Sequence, residues 1–69
     1  MINDFRNILD LAFNLAQDKT RKYSERKEKV KEYIKKAESI YRKIYKDLSF
    51  WERQEARQPI NDLKRYFNI

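Results

Sequence analysis

Apolar residues recur with helical spacing along most of the chain. In the first segment they fall three and four positions apart, which predicts an amphipathic helix over about residues 4–17. The residues on this stripe are Phe5, Ile8, Leu9, Ala12, Phe13, Leu15 and Ala16. Leu11 lies off the stripe, so we expect its side chain to be exposed.

The longest periodic segment predicts a second helix over about residues 24–47. Its apolar stripe consists of Tyr23, Val30, Tyr33, Ile34, Ala37, Ile40, Tyr41, Ile44, Tyr45 and Leu48. Ser24 is the residue expected to cap the first turn, because its hydroxyl can accept from a free main-chain amide. Glu stands four positions before a cation three times, and this order favours ion pairs within the helix. The expected pairs are Glu25–Lys29, Glu32–Lys36 and Glu38–Arg42.

A capping box marks the start of a third helix. Ser49 and Glu52 are three positions apart, so each side chain can accept a hydrogen bond from the other's main-chain amide. The helix is predicted over about residues 50–57, because Pro59 lacks an amide hydrogen and disfavours helical backbone at the preceding residue. A helical piece over 59–67 follows. The sequence leaves a kinked third helix and two short helices open, and it slightly favours the break.

Three amphipathic helices with short connections predict an all-α fold, a small antiparallel three-helix bundle that forms one domain over residues 1–69. The alternative is a coiled-coil dimer of one long helix, since the chain has no Gly and no Pro before Pro59. The apolar positions from Phe5 to Ile44 also keep a heptad phase. In that arrangement Lys19 and Arg26 would lie in the seam between helices, which favours the bundle. In either arrangement a homodimer would add buried area to a small core.

Positive charge is concentrated in the second predicted helix and the turn before it. The chain has 17 Lys and Arg against 11 Asp and Glu, a net charge of +6. Residues 19–46 hold 12 of the basic and 4 of the acidic residues, so this segment carries +8 and the remainder −2. Such a helix suits nucleic acid, because Lys and Arg displace counterions from phosphates and Tyr stacks on bases. The candidate nucleic-acid-binding residues are Lys22, Arg26, Lys29, Tyr33, Lys36 and Lys43.

Phe50 and Trp51 are adjacent at the start of the third predicted helix, where neighbouring side chains point about 100° apart. We therefore expect one of the two at the margin of the core. An exposed aromatic residue at this place would be a docking point for a partner. The second interpretation of the chain is accordingly a protein-interaction module, an inhibitor or adaptor that binds an acidic protein or a second copy of itself.

Catalysis is not expected. The chain has no His and no Cys, so the commonest bases, nucleophiles and metal ligands are missing. Without Gly it cannot form a phosphate-cradling loop of the P-loop or dinucleotide-binding type. We expect no metal, no other cofactor and no small-molecule substrate.

The N-terminal residues lack the basic start and the apolar run of a signal peptide, and no apolar stretch approaches the ~20 residues that span a bilayer. We therefore expect a cytoplasmic protein that does not associate with membranes. The composition resembles that of small accessory or regulatory proteins of phages, plasmids and AT-rich microbes. The leading hypothesis is a non-enzymatic protein of this kind that binds nucleic acid through its basic helix.

Overall fold

A computed structural model describes residues 2–69 of the chain, and within them it shows three α-helices and no strand. The elements are α1 (Ile2–Ala16), α2 (Tyr23–Ile44), a short 3-10 helix (Tyr45–Asp47) and α3 (Phe50–Phe67). All three helices contact one another, which confirms the predicted all-α three-helix bundle. Met1, the first residue of the predicted domain, lies outside the described residues.

The chain reverses direction between α1 and α2 without a Gly or a Pro. The Asp18 carboxylate accepts hydrogen bonds from the Thr20 amide at 3.0 Å and from the Thr20 hydroxyl at 2.5 Å. Its other oxygen lies 3.3 Å from Arg21 Nε. This is an Asx turn, in which a side-chain oxygen takes the place of a main-chain acceptor. Because α1 and α2 are separate helices on either side of this turn, the single long helix is wrong.

The core lies along the predicted apolar stripes. The buried side chains are Phe5, Leu9, Ala12, Ala16, Val30, Ile34, Ala37, Tyr41, Ile44, Ile60, Leu63 and Phe67. Leu11 is exposed, as predicted. Tyr23 and Tyr45 are on the predicted stripe but are also exposed. Both stand at an end of α2 and pack only partly on the core, Tyr23 against Phe67 and Tyr45 against Tyr41.

Helix α3 runs through Pro59 without interruption, so the favoured break at this residue is wrong. The three apolar residues that follow are almost completely buried: Ile60 is 1%, Leu63 2% and Phe67 0% exposed. A proline inside a helix costs about 3 kcal/mol, whereas burial of one large apolar side chain contributes about 1.5–3 kcal/mol. The burial of three such side chains therefore outweighs the cost of the proline.

The two predicted helix caps differ in outcome. At α3 the capping box is confirmed, with Ser49 Oγ accepting from the Glu52 amide at 3.3 Å and Glu52 Oε1 accepting from the Ser49 amide at 3.0 Å. The bond from the Ser49 amide is the main reason that the pKa of Glu52 lies below its ordinary value. At α2 the predicted Ser24 cap is wrong. The helix begins at Tyr23, which places Ser24 within the first turn, and Lys22 takes the N-cap position without a side-chain bond.

Candidate nucleic-acid interface

Four lysines among the predicted site residues follow one flank of α2. Lys29, Lys36 and Lys43 repeat every seven residues, so the row drifts only about 20° around the helix per repeat. Lys22 stands at the N-cap position, seven residues before Lys29. All four side chains are exposed. The structure thus brings these lysines together as one row along the length of α2.

Tyr33 lies beside this row, on the side of α2 that faces α1. Its side chain is partly buried and packs against the core. The Lys36 Nζ atom lies 6.0 Å from the centroid of the Tyr33 ring, at the outer limit of a cation–π contact. Lys29 and Tyr33 also line a shallow depression that contains Leu11 and Leu15 of α1. The Tyr33 ring therefore shares one surface with two of the lysines.

Arg26 is placed apart from that surface. Its Nη1 atom donates to the main-chain oxygen of Ala16 at 2.6 Å, and its Cζ atom lies 5.9 Å from the centroid of the Tyr23 ring. Ala16 is the last residue of α1, where main-chain oxygens lack a partner within the helix. Arg26 therefore joins α1 to α2. We use the term lysine face for the other five predicted residues, Lys22, Lys29, Tyr33, Lys36 and Lys43.

The expected ion pairs within α2 are wrong. In residues 2–69 the ion pairs are Arg21–Asp18 and Lys64–Glu38, and the second one joins α3 to α2 with Nζ and Oε1 3.0 Å apart. Glu38 pairs with Lys64 across the bundle instead of with Arg42 in its own helix. An ion pair between exposed side chains of one helix stabilises the folded chain by only about 0.3–0.5 kcal/mol, which is too little to fix the two side chains in contact. Lys29 and Lys36 thus form no ion pair within residues 2–69, and the exposed Glu25 and Glu32 stand four positions before them.

The predicted site residues omit a second cationic surface between α2 and α3. A groove of about 480 Å³ lies where the end of α2 meets α3. We call it the arginine groove, and its lining residues are Glu38, Tyr41, Arg42, Tyr45, Lys46 and Arg57. The Arg57 Cζ atom lies 5.5 Å from the centroid of the Tyr41 ring. The Lys and Arg excess of the sequence signals these cations, but only helix packing shows that Arg57 joins those of α2.

Arg53 fixes the edge of this groove. Its Cζ atom lies 3.8 Å from the centroid of the Tyr45 ring, and its Nε atom donates to the main-chain oxygen of Tyr45 at 3.0 Å. The guanidinium group thus contacts both the ring and the backbone of the same residue. This double contact ties the 3-10 helix to the first turns of α3.

Phe50 and Trp51 are both exposed, to 63% and 74%, so the expectation that one of them lies at the core margin is wrong. The inward positions of this part of α3 belong to Arg53 and Ala56, which are in register with Ile60. Trp51 is nine residues before Ile60, and at about 100° per residue this places it on the opposite side of the helix. The two rings contact each other edge to face, with centroids 5.4 Å apart.

In the part of the chain that the structure describes, no group of three or more acidic side chains is arranged to hold a metal ion. Within residues 2–69, none of the helices combines the length and the apolar character that crossing a bilayer requires.

Comparison of the chain with protein-family models, with curated proteins and with solved structures yields no match in any of the three.

Proposed function

We propose that the chain is a non-enzymatic accessory protein that binds nucleic acid through the lysine face. The observation that carries the proposal is the row formed by Lys22, Lys29, Lys36 and Lys43. All four side chains are exposed, and within residues 2–69 none of them forms an ion pair. Each lysine that meets a phosphate releases condensed counterions, and this release drives binding.

The chemistry of the lysine face favours contact with phosphates over contact with base edges. A lysine ammonium group is a compact charge on a flexible stem, and it binds a phosphate oxygen without reading the base. Tyr33 adds a ring and a hydroxyl between Lys29 and Lys36, both of which suit a nucleic-acid backbone or an unstacked base. Binding at this face is therefore expected to depend strongly on salt and weakly on sequence.

The test is a titration of labelled duplex DNA, single-stranded DNA and RNA with the whole chain at low salt. Saturable binding is expected, and for duplex DNA the logarithm of the association constant should fall with log salt by about 0.9 per phosphate contacted. The double variant K29E/K36E should lose most of its affinity. The matched control is R6E/R65E, which makes the same change in net charge at two exposed positions of α1 and α3.

Retained helicity in the circular dichroism of both variants shows that a loss of binding does not come from unfolding. The proposal predicts that the control loses much less affinity than K29E/K36E. Equal losses in the two variants would assign binding to overall charge instead of the lysine face. Absence of saturable binding to all three nucleic acids would overturn the proposal.

A second candidate function is docking of an acidic protein, as an inhibitor or adaptor does. The exposed Phe50 and Trp51 rings favour it, because two adjacent aromatic side chains without a core contact resemble the anchors of protein interfaces. The net charge of +6 opposes association of two copies and favours a partner of negative charge. A complex of this kind should survive nuclease treatment and be lost in the variant F50S/W51S. Sedimentation equilibrium of the chain alone should give a monomer, and a dimer that W51S dissociates would assign the rings to self-association instead.

A further inference from the structure

We infer that the arginine groove holds one unpaired nucleotide, with its phosphate between Arg42, Lys46 and Arg57 and its base against the ring of Tyr45. This inference rests on the proposed function and adds the class of nucleic acid. The chain should prefer single strands, or duplexes with unpaired bases, over a continuous duplex. Three properties of the groove support it: its charge, its aromatic surface and its size.

The charge of the groove suits a phosphate. Arg42, Lys46 and Arg57 are all exposed and come from three successive elements, α2, the 3-10 helix and α3. Glu38 is the acidic residue of the lining, and its carboxylate lies 3.0 Å from Lys64 Nζ. Because Lys64 compensates Glu38, the three other cations remain available to an anion. Arginine in particular binds phosphate through two parallel hydrogen bonds.

The aromatic surface of the groove is Tyr45, which is 43% exposed. The Arg53 Cζ atom lies 3.8 Å from the centroid of this ring, so the guanidinium covers one face and leaves a base the exposed remainder of the ring, and Arg53 Nε donates to the main-chain oxygen of the same residue. The ring is thus held in place before any ligand arrives, and a ligand that contacts it spends little free energy on ordering it. Stacking of a base on an aromatic side chain does not depend on which base is present.

The size and position of the groove select an unpaired base. A volume of about 480 Å³ is within the range of pockets that accept small ligands, and a nucleotide is such a ligand. A base inside a continuous duplex is stacked between its neighbours and cannot reach a ring in a cleft between two helices. Arg42 of the groove and Lys43 of the lysine face are consecutive residues of α2 and point about 100° apart, so a strand that contacts both must bend around the helix.

The test compares fluorescence anisotropy for a labelled single strand and for a hairpin duplex of the same base composition. We expect the wild type to bind the single strand more tightly. Removing one base contact by Y45A should lower single-strand affinity by at least about fivefold and leave duplex affinity unchanged. Y45F, which keeps the ring, should bind as the wild type does. K46Q and R57Q should each weaken single-strand binding more than duplex binding.

The matched control is K29Q, which removes the same charge from the lysine face and should weaken binding of both nucleic acids equally. If Y45A does not fold, a single strand made only of abasic nucleotides tests the same contact with the wild type. A loss of single-strand affinity on removal of all the bases supports the inference, and unchanged affinity overturns it. Equal affinity of the wild type for the single strand and the duplex overturns the inference about the arginine groove but not the proposed function of the lysine face. Absence of binding to either nucleic acid overturns both proposals.

Discussion

The Nη1 atom of Arg26 donates a hydrogen bond to the main-chain oxygen of Ala16, and the two atoms are 2.6 Å apart. The two residues stand on opposite sides of the α1–α2 turn, ten positions apart in the sequence. The donor is charged and the bond is partly buried, two conditions under which a hydrogen bond contributes most. This hydrogen bond holds the start of α2 against the end of α1.

Replacing Arg26 by Gln should lower the free energy of unfolding by about 1.5–3 kcal/mol, the range for hydrogen bonds to charged groups. Chemical denaturation followed by circular dichroism measures the change. The control is K35Q, which removes one charge from an exposed position of the same helix and should leave stability nearly unchanged. R26K keeps the charge but not the guanidinium group, so it should lose stability while binding nucleic acid as the wild type does. Wild-type stability in R26Q would contradict the role of this bond.

The Asp18 turn should make stability depend on pH in acid. The side-chain hydrogen bond from Thr20 is the main reason that the pKa of Asp18 is lower in the folded chain than its ordinary value of 3.8. The stabilisation is therefore complete above that value and is lost as the pH falls through the folded-state pKa. Denaturation curves from about pH 6 to pH 2 should show this loss in the wild type.

The variant D18A should be less stable than the wild type at neutral pH, and the difference between the two should shrink as the solution becomes acidic. Glu52 titrates in the same region with a lowered pKa, so its contribution remains in D18A and serves as an internal reference. A constant difference at all pH values would show that the Asp18 carboxylate does not stabilise the turn through its charge.

The capping box of α3 should be measurable as a local loss of stability. S49A removes the acceptor of the Glu52 amide and should cost about 0.5–2 kcal/mol of unfolding free energy. S39A is the matched control, because Ser39 is exposed within α2 and the replacement by Ala improves helix propensity there. A similar effect of both substitutions would mean that the box does not hold the start of α3.

Replacing Pro59 by Ala should stabilise the protein, because it gives an uninterrupted helix the amide hydrogen that it lacks. In host–guest peptides, Pro is about 3 kcal/mol less favourable than Ala in a helix interior. The gain in the protein is smaller, because Ala has more conformational freedom than Pro in the unfolded chain. An increase of about 1–2 kcal/mol in the free energy of unfolding is expected. N61A, at a nearby exposed position, should gain at most about 0.7 kcal/mol. A loss of stability in P59A would show that α3 requires the fixed backbone angle of proline.

Much of the fold follows from spacing alone. Val30, Ile34 and Leu63 are buried because apolar residues three and four positions apart share one side of a helix, and this relation needs no knowledge of the neighbouring helices. The capping box was equally predictable, since Ser49 and Glu52 interact across a single turn.

The errors lie where tertiary contacts compete with local preference. Pro59 is a local signal for a helix end, yet the burial of Phe67 and its neighbours keeps α3 continuous. Charge spacing within α2 favoured an ion pair between Glu38 and Arg42, whereas Lys64 of another helix donates to the carboxylate. An Asp two positions before a Thr is a turn signal that needs neither Gly nor Pro, and Asp18 shows it.

Of the two candidate surfaces, one could be predicted from spacing within a single helix and the other could not. The lysine row was predictable because seven-residue spacing within one helix fixes the positions of Lys29, Lys36 and Lys43. Arg26 lies four positions after Lys22 and three before Lys29, which is also a helical spacing, but its long side chain turns to an acceptor in α1. The arginine groove could not be predicted, since Arg42 and Arg57 meet only through the packing of two helices.

The length of the lysine row can be compared with the spacing of phosphates in a nucleic acid. Seven residues of α-helix rise about 10.5 Å, and successive phosphates of one strand in B-form DNA are about 3.4 Å apart along the axis. The row from Lys22 to Lys43 is therefore about 31 Å long, which is the axial length of about nine nucleotides. One chain should occupy a segment of that length, so the length of a nucleic acid would set how many copies coat it.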